Sequence, residues 1–115
     1  MSSIPALPVA EQAKAKVNKA LADGIVKLNA ALAALIAEIK ICDASATSIV
    51  VANAAAATQV IKNTATAAIG VIAALDQSKP APIQANADTT ATAITASANT
   101  AVAAMKSVAG KAKKC

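Results

Sequence analysis

The chain has 115 residues, a net charge of +5, no aromatic residue and no histidine, and all 11 of its cationic residues are lysines. Without His, Tyr or Arg, the groups able to move a proton are six scattered carboxylates, the lysines and two cysteines, so no catalytic site, cofactor or metal site is expected. Nucleic acid is also an unexpected partner, because most lysines gather near the ends (Lys14, Lys16, Lys19, Lys27, then Lys106, Lys111, Lys113, Lys114), with no arginine fork or aromatic platform.

Alanine dominates what is left. It has the highest intrinsic helix propensity and loses no side-chain rotamer freedom in a helix, so the fold class is all-α. A core with no Phe, Tyr or Trp buries little area per side chain. Stability must then come from many aliphatic groups, each fully buried Leu, Ile or Val contributing about 1.5 to 3 kcal/mol, which favours a long, thin core.

Residues 1–8 (MSSIPALP) carry two prolines and are expected to be extended, with a single helical bundle over 9–115. Met1 to Val9 lacks the basic start of a secretory signal. The expectation is a mature secreted chain. The first helix is predicted over about 9–41, where Val17, Leu21, Ile25, Leu28, Leu32, Leu35 and Ile39 recur at steps of three and four, interrupted only by Gly24. Residues 42–48 (CDASATS) then favour a break with Asp43 or Ser45 as the next N-cap, although the apolar stripe continues in phase and leaves one very long helix as the alternative.

The second helix is predicted over about 45–75. Two prolines and a polar cluster in DQSKPAP (76–82) mark a loop, and the third helix is predicted over about 83–113. Its stripe is Ile94, Ala98, Ala101, Met105 and Val108. These elements define an antiparallel bundle of three long straight helices, or a helical hairpin if the first two are continuous. Cys42 and Cys115 fall at the ends of helices one and three, which share a pole in either topology, so an intrachain disulfide and an oxidising compartment are expected, with two free thiols or a Cys115 bridge between chains as the alternatives. Apolar runs are broken by Lys, Asn, Thr or Ser before about 18 to 20 residues, so stable membrane insertion is not expected.

A longer regularity runs through the whole chain. Val17, Leu28, Ile39, Val50, Ile61, Ile72, Ile83, Ile94 and Met105 lie 11 residues apart. Eleven residues make three turns at about 3.67 per turn, close to a relaxed α-helix, so the helices should be straight. On such helices, surface residues spaced by eleven line up on one side. Thr47 and Thr58 form one such pair, Thr89 and Thr100 another, each separated by about 16.5 Å along the axis. Folding the last two helices about residue 79 sets Thr58 opposite Thr100, which would put both pairs on one face.

Residues 44–61, 63–75 and 89–105 carry no charge. An ion orders its hydration water in a pattern foreign to ice, whereas alanine and threonine methyls on a rigid rod do not. The reading is an ice-binding surface of Thr47, Thr58, Thr89, Thr92, Ala93, Ala96, Thr100 and Ala104, with an ice surface as the partner and a monomer or weak homo-oligomer as the state. An alanine-rich helix with threonine at eleven-residue intervals resembles the alanine-rich helical antifreeze proteins of the type I class. The likeness covers 47–58 and 89–100, with Ala93, Ala96 and Ala104 beside the second pair, and implies an antifreeze function. The series departs from that pattern at Ile69, where a third threonine would stand, and at Lys62, one turn beyond Thr58. Two other readings stay open: a surface-active or lipid-associating helical bundle, and a structural protein whose uncharged back docks on another copy or partner.

Overall fold

The computed structural model describes residues 8–39 and 43–113. It is all-helical over these residues, with α1 at Val9–Ile39, α2 at Ala44–Ala74 and α3 at Pro80–Lys111, each in contact with the other two. Helices of 31 and 32 residues are about 46 to 48 Å long. Lys16 reaches Asp88 and Lys27 reaches Asn99, both across 72 residues, so α1 and α3 run parallel and in constant register. Gly24 lies against Ile61, which requires α2 to fold back along α1 and excludes the single long helix. The expected extended segment 1–7, the two cysteines and the bridge between them lie outside the described residues.

Asp43 terminates the break. Its Oδ1 accepts from the Ala46 backbone N–H at 3.0 Å as the N-cap of α2, and its Oδ2 accepts from the Lys113 N–H, also at 3.0 Å. One carboxylate thereby joins the start of α2 to the end of α3. The hydrogen bond from Lys113, then that from Ala46, holds this carboxyl below the ordinary value of 3.8. A depressed carboxylate stabilises the fold above its unfolded pKa, and that contribution is lost as pH falls through the folded pKa. Asp43→Ala should therefore melt at a lower temperature than the parent at neutral pH, followed by circular dichroism. The gap should narrow as the solution is acidified below the carboxylate range. Asp43→Asn should lie between them, since it keeps an oxygen for the Ala46 cap.

The other connection is tighter than the sequence suggests. Gln77 Nε2 donates to the carbonyls of Ile72 and Leu75, closing the end of α2, and Asp76 Oδ1 accepts from both the backbone and hydroxyl of Ser78. The third helix begins at Pro80, not near Ile83. The first turn of a helix has no partners for its N–H groups, so Pro80 and Pro82 fit there at no cost in hydrogen bonds and start the helix they were expected to delay.

Among the described residues, the nine members of the eleven-residue series are the nine largest fully buried side chains. Alanines flank them on the inward side of every helix: Ala10 and Ala13 on α1; Ala46, Ala54, Ala65 and Ala68 on α2; Ala87, Ala98 and Ala109 on α3. Gly24 explains how such a core closes without aromatics. A Cβ built there would stand 3.0 Å from Ile61 Cδ1 and 3.5 Å from Ile94 Cγ2, so the missing side chain on α1 accommodates two isoleucines from α2 and α3. On straight helices the same layer recurs eleven residues away in each direction. It is then built from Ala13, Ile72 and Ile83 toward one pole and from Leu35, Val50 and Met105 toward the other.

Gly70 is different: it is exposed in the middle of the last turns of α2, and a Cβ there meets nothing within 4 Å. Gly70→Ala should stabilise the bundle by about 0.5 to 1 kcal/mol, because it removes backbone freedom from the unfolded chain without a clash. A rise in melting temperature checks this.

Candidate functional site

The three sides of the bundle differ in charge. α1 carries Glu11, Lys14, Lys16, Lys19, Asp23, Lys27 and Glu38, whereas α2 carries only Lys62 within its span and α3 only Asp88, Lys106 and Lys111. Asp88 pairs with Lys16 of α1, and Lys62 lies with Asn29 and Leu32 beside the α1–α2 groove. Lys106 follows Thr95 by eleven residues, and Thr95 borders the α1–α3 groove with Asp23 and Lys27. Charges therefore follow α1 and its two flanks. Among the described residues, the side shared by α2 and α3 has none along its length until the pole near Ile49 and Val108, where Asp43 and Lys111 stand.

A shallow groove runs along that uncharged side, lined by Asn53, Ala57 and Val60 from α2 and by Ala96, Ser97, Thr100, Ala101 and Ala104 from α3. Thr89, Thr92, Ala93, Ala96, Thr100 and Ala104 are all exposed, as the sequence reading requires. Thr89 and Thr100 form one row and Ala93 and Ala104 the next, nearer to α2. Ala96 borders the groove from the crest of α3, while Thr92 stands on the far side of that crest, toward α1.

Thr47 and Thr58 do not join this surface. Both are half-buried, Thr47 Oγ1 donating to the Asp43 carbonyl at 3.1 Å and Thr58 Oγ1 to the Ala54 carbonyl at 2.9 Å. Thr58 lines the groove between α2 and α1, with Asn29 and Leu32. Its height is the expected one, since its neighbour Ala57 and Thr100 share a groove. Its direction around the axis is not, because the hand of the bundle decides which flank of the α2 core stripe faces α3. In this bundle the flank bearing Thr47 and Thr58 faces α1, so the shared threonine face is withdrawn.

The flank of α2 that does face α3 carries Ile49, Val60 and Val71, which are 48%, 52% and 46% exposed. A signal for this row exists in the doublets Ile49-Val50, Val60-Ile61 and Val71-Ile72, repeated every eleven residues. The second member of each is fully buried, so the first is turned about 98° away and must stand outside the core.

By length and composition α1 and α2 are each apolar enough to cross a membrane, a property that the core helices of bundles share. The interruptions of α2 are neutral apart from Lys62, those of α1 crowd before Gly24, and dense alanine elsewhere keeps the average apolar.

No family model matches the chain, no curated protein is significantly similar to it, and no solved structure resembles its fold at a significant level.

Proposed function

We propose that this protein binds ice through the uncharged side of the bundle bearing Thr89, Ala93, Ala96, Thr100 and Ala104. One observation carries the reading: charge follows α1 and its flanks and is missing along the α2–α3 side. A soluble bundle with no ligand to meet gains nothing from clearing ions off one side, whereas a surface that joins ordered water must do so. The straight helix supports it by repeating the Thr89 and Ala93 rows at about 16.5 Å in Thr100 and Ala104. The likeness to alanine-rich helical antifreeze proteins points the same way, and now rests on 89–104 alone. Ice-shaping microscopy and thermal hysteresis on the purified chain test it: faceted crystals and a hysteresis gap are expected, and round, unshaped crystals at millimolar protein would refute it.

The apolar lengths of α1 and α2 favour a second reading, a bundle that opens on a lipid surface. Flotation with neutral and anionic vesicles separates the two, since ice binding requires no lipid.

The proposal includes an extracellular site and a Cys42–Cys115 bridge, supported by the hydrogen bond between their described neighbours Asp43 and Lys113. Protein purified without reductant should show no reactive thiol after denaturation. Two titratable thiols would remove the bridge from the account.

A further inference from the structure

We infer that the ice-contacting plane spans two helices, with Ile49, Val60 and Val71 of α2 forming its second rank beside the Ala93, Ala104 and Thr89, Thr100 rows of α3. The inference rests on the ice-binding reading and says which part of the bundle makes the contact. A flat lattice can meet α3 in two ways: along the α1 side of its crest, through Thr92 and Ala103, or across the plane that rests on α2 and α3 together.

Three features select the second way. Among the described residues, five large aliphatic side chains are prominently exposed, Val26, Ile49, Val51, Val60 and Val71. Three of the five form one row at eleven-residue intervals, on the flank of α2 that borders α3. Exposed apolar surface is unfavourable unless something covers it, and singly scattered residues would not align in this way. Each member of the row is also β-branched and so is held to one strongly preferred rotamer on a helix, which fixes its methyl groups as rigidly as those of the α3 threonines. Finally, α2 and α3 share the eleven-residue repeat, so their rows keep the same period of about 16.5 Å along nearly parallel axes. Val60 and Ser97 border the same groove, which has no charged side chain in its lining; charge enters only at the Ile49 end, where Asp43 and Lys111, one repeat beyond Thr100, line the surface. The plane takes in Ala56 and Ala67 as filler and leaves out Thr92.

Lysine substitutions in the full chain test this, with helicity followed by circular dichroism. Val60 and Val71 are exposed and lysine is a good helix former, so Val60→Lys and Val71→Lys should fold as the parent does. Val51→Lys is the control on the same helix, in the row that already holds Lys62 one repeat on. Val60→Lys and Val71→Lys should lose ice shaping and hysteresis, while Val51→Lys and Thr92→Lys keep both. If Val60→Lys and Val71→Lys stay active while Thr92→Lys is inactive, the crest of α3 makes the contact and the two-helix plane is wrong. If the parent itself leaves ice unshaped, the ice-binding reading fails, and this inference with it.

Discussion

Thr100→Lys should abolish ice shaping while leaving the helical content and melting temperature close to those of the parent. Thr100 is exposed at the middle of the uncharged side, in the groove with Asn53, Ala57 and Val60. Lysine there brings a strongly hydrated ammonium onto a surface that otherwise has none, and dehydrating an unpaired charge is expensive. Its long stem also stands above the neighbouring methyls, so the plane cannot lie flat even if the charge swings aside. Little stability is at stake, because exposed helix positions accept lysine readily and surface changes usually stay within about 0.5 kcal/mol. The control is Ala33→Lys, exposed on α1, on the part of the bundle that already carries ions. It should keep full activity. Equal loss in both variants would mean that net charge, and not its location, governs the effect.

Ile61→Ala has the largest expected effect on stability, about 2 to 5 kcal/mol, a large part of the total for a domain of this size. Ile61 is fully buried, and the α1 residue against it is a glycine, which has no side chain of its own to lean into the space it vacates. The cavity should persist, and its cost should lie toward the upper end of that range. The same geometry predicts a coupling. In the parent, Gly24→Ala gains helix propensity but presses its new Cβ to 3.0 Å from Ile61 Cδ1. In Ile61→Ala that atom is gone, so Gly24→Ala should keep its propensity gain of about 1 kcal/mol and partly fill the hole. Denaturant melts of the four chains give the coupling energy. Additive behaviour would contradict the layer built around Gly24.

Much of this was legible in the amino-acid order. The eleven-residue series from Val17 to Met105 identifies the buried axis of all three helices, because a repeat of three whole turns returns to the same direction on a straight rod. Asp43 is readable as a cap because a short acceptor after an apolar helix has few other uses. α3 starts at Pro80, before the expected point, because proline breaks a helix only beyond its first turn, where its missing N–H would have had a partner. The proposed surface is only half legible. Thr89, Ala93, Ala96, Thr100 and Ala104 are identified by absent charge and by spacing on one helix, which needs no tertiary information. Assigning Thr47 and Thr58 to the same side needed the hand of the bundle, and no local pattern encodes that. The row Ile49, Val60, Val71 was overlooked for a chemical reason: each sits beside a core residue and reads as part of the interior.

The central claim is that the uncharged side joins the ice lattice, and partition into a slowly growing ice hemisphere measures this most directly. The parent chain should be taken up into the ice at close to its concentration in solution, while Thr100→Lys is left behind in the liquid. Exclusion of the parent to the same degree as an inert protein of similar size would contradict it.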